Sequence, residues 1–175
     1  GDRDAFAELM RRHEDMVFAV CLRIMTNREA ALDAVQETFI TLFRKADRYR
    51  GDAAVSTWLY RVATNTCLDQ LRKQRRRAAD PLPEHHDPAD AAASDPFTSV
   101  ELRPSIERAL ATLPEEYRAA VVLSDVHGLG MDEISEILEV PVGTVKSRVF
   151  RGRRRLAETL GNLREGSGRR SDEHA

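Results

Sequence analysis

Apolar and polar positions alternate at the spacing of helices along the N-terminal part of the chain. Apolar side chains three and four residues apart lie on one face of a helix, where they pack together. The first predicted helix runs from Phe6 to Asn27, the second covers residues 32–46, and a third starts at Ser56 or Thr57 as its cap. The inward face of the second helix is assigned to Leu32, Val35, Phe39, Leu42, Phe43 and Ala46. Residues 1–78 are therefore predicted to form a bundle of three or four helices.

The helical pattern stops between residues 79 and 104. This segment is rich in proline and alanine, and residues 80–101 hold six carboxylates without a lysine or an arginine. Such a composition buries too little apolar surface to form a core, so we predict a flexible acidic linker at residues 79–104. The periodicity resumes at Ile106 and continues to Leu160, and the polar tail at residues 164–175 is predicted to be disordered.

The second periodic segment, residues 105–163, has the layout of a helix-turn-helix. A helix that starts at Pro114 stops at Gly128, a short helix follows from Met131, and a tight connection at residues 139–141 leads into the last helix. The predicted fold class is therefore all-α, with two small helical domains joined by the flexible linker.

The positive charge of the chain is concentrated in two clusters. The formal net charge is only −2, but five cations fall within residues 72–77 and six within residues 146–155. Basic clusters of this kind favour the binding of anions such as nucleic-acid phosphates. On the last helix the cations share a face with Ser147 and with no carboxylate, which is typical of a helix that reads the major groove. A solvated surface helix is the alternative interpretation.

The sequence gives no support to an enzymatic or a membrane function. It holds no apolar run long enough to cross a bilayer and does not open with a signal-peptide pattern. Cys21 and Cys67 lie on apolar faces of predicted helices, where we expect buried reduced thiols. These features lead us to expect a cytoplasmic protein. The run His85-His86-Asp87 lacks further metal ligands at useful spacing, and neither a glycine-rich phosphate loop nor a nucleophile–base pair is evident. We therefore expect no catalysis, no cofactor and no metal.

Three strings in the second domain resemble region 4 of sigma factors. They are Leu113-Pro114-Glu115-Glu116-Tyr117-Arg118, Met131-Asp132-Glu133-Ile134 and Val142-Gly143-Thr144-Val145-Lys146-Ser147-Arg148. The resemblance implies that this domain recognises the −35 element of promoters. The DNA-contacting side chains that it implies are Thr144, Lys146, Ser147, Arg148, Phe150 and Arg151, with Arg148 assigned to phosphate.

Three positions depart from the sigma pattern. Met131 stands where a capping serine or threonine is frequent, which is expected to cost about 1 kcal/mol at that helix start. Glu139 occupies a turn position where glycine is frequent, which predicts modest backbone strain. Gly152 replaces a common alanine inside the last helix, where glycine is expected to cost about 1 kcal/mol.

Two strings in the first domain resemble region 2 of sigma factors. The string from Asp33 to Phe39 is similar to region 2.2, which implies docking on the clamp helices of the polymerase largest subunit; an ordinary solvated face is the alternative. The residues assigned to docking are Asp33, Gln36 and Glu37. The string from Trp58 to Thr66 is similar to regions 2.3 and 2.4, which implies recognition of the −10 element.

The −10 assignment rests on one helix and the loop before it. Asn65 is expected to hold a flipped base by its hydrogen-bonding edge, with residues 51–56 as the other wall of the pocket. Trp58 is a candidate for stacking on a base, although a core position is the alternative. The cations expected to follow the phosphates are Arg61, Arg72, Lys73 and Arg75.

The resemblance includes regions 2 and 4 and lacks a helical region 3, which is typical of group IV, the extracytoplasmic-function sigma factors. It implies core RNA polymerase and promoter DNA as partners, and an anti-sigma factor as a regulator. The acidic linker then either follows the RNA exit path of the polymerase or serves as a passive tether. A conventional helix-turn-helix regulator is the main alternative, but residues 1–78 lack the βα alternation of a receiver domain. A structural scaffold would not need a helix that reads bases.

Overall fold

A computed structural model describes residues 3–46, 49, 54–79 and 103–168 of the chain. The described segments form helices α1 (Arg3–Met25), α2 (Arg28–Lys45), α3 (Val55–Ala79), α4 (Arg103–Ala111), α5 (Glu115–Val121), α6 (Met131–Leu138) and α7 (Val142–Gly168). A π turn, Val122–Val126, continues α5. The all-helical prediction is confirmed, and within the described residues no helix is long and apolar enough to span a bilayer.

Most of the predicted linker and the end of the predicted tail lie outside the described residues, and so does the run of residues 85–87 that was weighed as a metal site. The last helix continues to Gly168, past the predicted start of the tail at Arg164.

Helices α1, α2 and α3 pack around a shared apolar core, as the periodicity predicts. Val20 and Ile24 of α1, Leu42 of α2 and Leu59 of α3 are fully buried. Cys21 and Cys67 meet in this core as free thiols, which confirms that they are buried and reduced. Contact with the Cys21 thiol and burial raise the pKa of Cys67, so this thiol stays protonated at neutral pH.

The face of α2 that enters the core differs from the predicted one. Leu32 and Phe43 were assigned inward, but 48% and 54% of their surfaces are exposed. The buried positions are Ala31, Ala34, Thr38, Phe39 and Leu42. The small Ala34 permits close packing, and Thr38 is buried at no polar cost because its hydroxyl donates to the Ala34 carbonyl at 2.6 Å.

The helix ends follow the expected signals in the N-terminal bundle with one exception. Asn27 separates α1 from α2, and its side chain accepts a hydrogen bond from the Ala30 amide at 2.9 Å, which caps α2. The predicted cap of α3 at Ser56 or Thr57 is wrong, because α3 already begins at Val55.

The predicted helix-turn-helix is present in the second domain. The segment that leaves α5 ends at Gly128, whose φ of 67° suits a residue without a side chain. Gly130, rather than Met131, holds the capping position of α6. Glu139 ends α6 in the left-handed region at φ 55°, so the strain expected at this turn is confirmed.

The two helical domains pack against each other. Helix α3 lies against α5 and α6, while α1 contacts α4, α5 and the π turn. The guanidinium of Arg118 on α5 reaches across this boundary to the carbonyl oxygen of Ile24 on α1, at 2.6 Å. The described residues therefore form one connected body in which the second domain covers a side of the first.

Gly152 has a packing role that its helical position alone does not reveal. It is buried where α7 crosses α5, and a Cβ atom added there would lie 2.5 Å from Cγ2 of Val121 and 3.4 Å from the carbonyl oxygen of Tyr117. The expected cost of glycine is thus offset by the close approach of two helices.

We expect Gly152→Ala to lower the free energy of unfolding by about 1–3 kcal/mol, because the methyl group must displace Val121 in a packed core. Gly161→Ala on the same helix is the matched control, since its added Cβ meets nothing within 4 Å. That control should gain up to about 1 kcal/mol from helix propensity. Urea unfolding followed by circular dichroism measures both, and an equal gain in the two variants would contradict the packing role.

Candidate nucleic-acid interface

One face of helix α7 is exposed, and the opposite face is buried against the core of the second domain. Val145 and Val149 are 0% and 2% exposed and fix α7 to the domain core. The exposed side of α7 carries two pairs of residues one turn apart, Lys146 with Phe150 and Ser147 with Arg151. We call these four residues the reading face. Phe150 has 69% of its surface exposed, more than the other exposed large apolar side chains of the described residues, so its ring is accessible to a partner.

The first turn of α7 is ordered by local hydrogen bonds. The connection at residues 139–141 bends the chain, and the Thr144 amide donates to the Pro141 carbonyl at 2.8 Å. The Ser147 hydroxyl donates to the Thr144 carbonyl at 2.9 Å, so its oxygen is held on the exposed side.

The cations of α7 fall into two groups. Arg148, Arg153 and Arg154 face carboxylates of the chain, with Arg148 3.7 Å from Glu116, Arg153 2.9 Å from Asp125 and Arg154 3.1 Å from Glu158. The expectation that no carboxylate accompanies the basic cluster is therefore wrong, because neighbouring elements that are distant in sequence supply Glu116 and Asp125. Lys146 and Arg151 remain exposed on the reading face.

Tyr117 of α5 organises the side of α7 next to the reading face. Its hydroxyl accepts a hydrogen bond from Arg151 at 3.4 Å, and the guanidinium of Arg155 lies 5.5 Å from the centre of its ring. The tyrosine thereby limits the rotamers of two long side chains. The sequence signal for this role was the tyrosine in the string at residues 113–118, which was used only for the family resemblance.

The outer face of α2 combines carboxylates with apolar side chains. Asp33, Gln36 and Glu37 are exposed as predicted, and Glu37 accepts a hydrogen bond from the Gln70 amide of α3 at 2.8 Å. Leu32, Ile40 and Phe43 are exposed on the same helix; together with the three polar residues they form what we call the docking face. These exposed apolar side chains were not identified from the sequence. Leu32 and Ile40 are eight residues apart and Ile40 and Phe43 are three apart, which is a helical spacing.

Four of the six residues assigned to the −10 element follow one flank of α3. At about 100° per residue, Trp58, Arg61, Asn65 and Arg72 fall within a narrow sector of the helix. Trp58 is half-buried and its ring centre lies 5.1 Å from that of Tyr49, whereas Arg72 is exposed beside Asp69. Asn65 is half-buried. Residues 51–53 of the predicted opposite wall lie outside the described residues.

Comparison with known proteins gives a consistent result along the chain. The family model "Sigma-70 region 2" matches residues 9–77, and "Sigma-70, region 4" matches residues 103–156. The ECF RNA polymerase sigma factor SigM of Mycobacterium tuberculosis is 41% identical over 95% of this chain and 82% of its own length. The ECF factor SigW of Bacillus subtilis is 34% identical over 93% of this chain and 92% of its own.

Two solved structures have a fold similar to that of this chain. The sigma factor RpoE of Bartonella quintana, determined in complex with the anti-sigma factor NepR, aligns with a TM-score of 0.74 at 25% identity, over 90% of this chain and 97% of that one. CnrH, determined with the cytosolic domain of CnrY, shares the fold with a TM-score of 0.63 at 22% identity, over 93% of this chain and 91% of its own.

The pair formed by Asp125 and Arg153 fixes α7 to the π turn and should make the stability of this domain depend on pH. The hydrogen bond from Arg153 is the main reason why the pKa of Asp125 lies below its ordinary value. A lowered folded-state pKa stabilises the fold above the unfolded pKa of about 4, and this contribution disappears as the pH falls through the folded value.

We expect Asp125→Asn to lower the free energy of unfolding by about 1 kcal/mol at pH 7, a modest figure because both partners remain partly exposed to water. The difference from the wild type should shrink as the pH falls below about 4 and vanish once the pH lies below the lowered folded-state pKa of Asp125. Chemical unfolding across this pH range measures it, with Asp15→Asn on the exposed side of α1 as the control. A difference that persists at low pH would assign the effect to packing instead of the ion pair.

Proposed function

The chain belongs to the ECF RNA polymerase sigma factors, which direct promoter-specific transcription, and from this premise we propose how its surfaces divide that work. The sigma factors are initiation factors and not enzymes. We assign residues 1–78 to region 2, residues 105–163 to region 4, and residues 79–104 to the connection between them. A conventional helix-turn-helix regulator is not favoured, because both sigma regions match along the chain.

Helix α7 is assigned to the −35 element. The supporting observation, which carries the proposal, is the reading face: Lys146, Ser147, Phe150 and Arg151 are exposed above two buried valines. Arginine and lysine pair with guanine edges in the major groove, and an aromatic ring packs on a thymine methyl group. Thr144 is placed in the first turn, at the end of the helix that enters the groove.

Arg148 is assigned to a phosphate and not to a base. Its side chain is 19% exposed and lies 3.7 Å from Glu116, so its guanidinium is already oriented by a carboxylate. A phosphate contact tolerates such sharing better than a bidentate pair with a base does, since a phosphate needs a positive charge nearby and not a planar match.

The flank of α3 is assigned to the −10 element. Asn65 presents an amide that can pair with the edge of an unstacked base, and Trp58 supplies a stacking surface beside it. Arg61 and Arg72 lie on the same flank, where they would follow the phosphates. The half-exposed state of Asn65 and Trp58 supports this assignment, since both are reachable yet held by the bundle.

The docking face of α2 is assigned to the polymerase. Its carboxylates Asp33 and Glu37 offer charge complementarity to basic side chains, and Leu32, Ile40 and Phe43 offer apolar surface that a partner would bury. We assign the clamp helices of the largest polymerase subunit as that partner.

Two further assignments follow from the family. The RpoE structure was determined with an anti-sigma factor, and we propose that an anti-sigma factor also regulates this chain. We place its action in the cytoplasm, where polymerase and promoters meet.

Run-off transcription with core polymerase and a library of promoter fragments tests the function. We expect defined transcripts only when the protein is added. Arg151→Ala should weaken binding to duplex −35 DNA about tenfold or more, as loss of a guanine contact does. Asn65→Ala should leave that duplex binding unchanged and reduce promoter opening, measured by permanganate reactivity of unpaired thymines.

Arg154→Ala is the charge-matched control for Arg151→Ala, because Arg154 lies on the same helix and pairs with Glu158. It should cause a smaller loss that is the same for all sequences. Equal losses at both elements in the Arg151 and Asn65 variants would contradict the division of labour, and the absence of any transcript would overturn the function.

The docking face is tested by Glu37→Lys. This substitution reverses a charge of the docking face and should weaken binding to core polymerase at least about tenfold, because a like charge then faces the partner. Glu14→Lys on the exposed side of α1 makes the same charge change elsewhere and should leave affinity intact. Fluorescence anisotropy with labelled protein measures both, and equal affinities would remove α2 from the interface.

A further inference from the structure

The docking face crosses the exposed side of α2 from the edge beside α1 to the edge beside α3. At about 100° per residue, Phe43 falls at one edge of this side and Glu37 at the other, with Asp33 within about 40° of Glu37. The Phe43 ring packs edge-to-face on Phe6 of α1, with 5.1 Å between the ring centres, and the Glu37 carboxylate meets Gln70 of α3. The docking face is therefore apolar along α1 and acidic along α3.

A hydrogen bond from α3 holds the Glu37 carboxylate at the acidic edge. The amide Nε2 of Gln70 donates to Oε2 of Glu37 at 2.8 Å, a length typical of a well-formed bond to a carboxylate. Because a carboxylate only accepts hydrogen bonds, the Gln70 amide has to turn its NH2 group toward Glu37. The bond uses one carboxylate oxygen and leaves the lone pairs of the other, Oε1, for a further donor.

This bond bears on binding because Glu37 is otherwise a long exposed side chain. A glutamate on a helix surface samples several rotamers, and a partner that fixes one of them has to offset the lost entropy. Gln70 is half-buried against the bundle, so it is the better-held member of the pair and fixes the Glu37 rotamer in advance. Pre-organisation of this kind raises affinity without adding a contact to the partner.

Gln70 lies on the helix assigned to the −10 element but away from the assigned flank. Helical spacing places it about 140° around α3 from Asn65, on the side that faces α2. A change at Gln70 therefore leaves the side chains assigned to the −10 strand in place. Its effect on polymerase binding can be measured separately from any effect on DNA.

We propose that Gln70 is a positioning residue for polymerase docking: its amide holds Glu37 in the rotamer in which Oε1 is offered to a basic side chain of the polymerase. The inference rests on the proposed function in its assignment of the docking face to polymerase. Gln70 acts only through Glu37 and makes no contact with the polymerase itself. The expected signature is a loss of affinity that depends on the presence of the Glu37 carboxylate.

Gln70→Ala removes the donor and should weaken binding of the full chain to core polymerase about fivefold, the cost of fixing one long side chain on binding. Gln74→Ala, on the exposed side of the same helix, is the matched control and should leave the affinity unchanged. Fluorescence anisotropy with labelled protein measures both. An unchanged affinity in Gln70→Ala would overturn the proposal.

A double-mutant cycle separates positioning from a general effect on the fold. In a Glu37→Ala background, Gln70→Ala should cause no further loss of affinity for core polymerase. In an Asp33→Asn background the same change should keep its loss of about fivefold, since Asp33 is not the acceptor of the bond. Equal losses in the two backgrounds would assign the effect to the fold and contradict positioning.

The exchanged pair Glu37→Gln/Gln70→Glu gives a readout that a merely structural bond would not move. It rebuilds the hydrogen bond with donor and acceptor reversed, so its stability in urea should exceed that of Gln70→Glu alone, in which two carboxylates face each other. Its affinity for core polymerase should stay as low as that of Glu37→Gln, because the carboxylate now belongs to α3. Recovery of affinity together with stability would refute the positioning role.

Glu37→Ala alone distinguishes a failure of this proposal from a failure of the docking assignment. If Glu37→Ala lowers the affinity and Gln70→Ala does not, the docking face stands and the role of Gln70 is refuted. If Glu37→Ala has no effect either, the docking assignment and the role of Gln70 are both refuted, while run-off transcription decides the sigma function independently.

Discussion

The guanidinium of Arg118 belongs to the one charged side chain that is buried among the described residues, and the arrangement of the two domains has to satisfy it. A buried cation is expensive, and burial lowers the pKa of Arg118 while Glu115 opposes that shift. Arginine nevertheless stays charged, so carbonyl oxygens must meet it, and those of Ile24, Leu113 and Ala111 do so at 2.6, 2.8 and 3.3 Å. Because one of them belongs to α1, the requirement of a single side chain fixes how the domains meet.

The orientation of the reading face follows from contacts on the opposite side of α7. Gly152 lets α7 approach α5 so closely that even a methyl group would overlap Val121, and Arg153 joins α7 to Asp125 of the π turn. Both constraints act away from the exposed side. They hold the helix rigidly without using Lys146 or Arg151, which leaves these cations available for a ligand. Rigid placement matters because base recognition depends on sub-ångström geometry at the groove.

Much of this architecture was predictable, and the failures share one cause. Helix positions, the stop at Gly128 and the exposed cation Arg151 follow from local spacing and turn chemistry, whereas Phe150 was named only through the family resemblance. Periodicity does not decide which of two apolar faces of α2 enters the core, so Leu32 and Phe43 were misplaced. The ion pairs of Arg148 and Arg153 and the contact of Thr57 with Glu133 join residues far apart in the chain, and polar pairs leave no periodic signal.

The near-neutral net charge of the chain and its basic surfaces both follow from how its carboxylates and cations are placed. Carboxylates lie against Arg75, Arg148 and Arg153, so part of the basic cluster is neutralised by the protein itself. On the proposed assignments, nucleic acid would exchange one anion for another at Arg75, which already pairs with Glu115, whereas at Lys146 it would displace only mobile counterions. Exchange at a fixed site contributes less to the salt dependence of affinity than counterion release does. On the proposed assignments, the −35 contacts should therefore be the more salt-sensitive part of promoter binding.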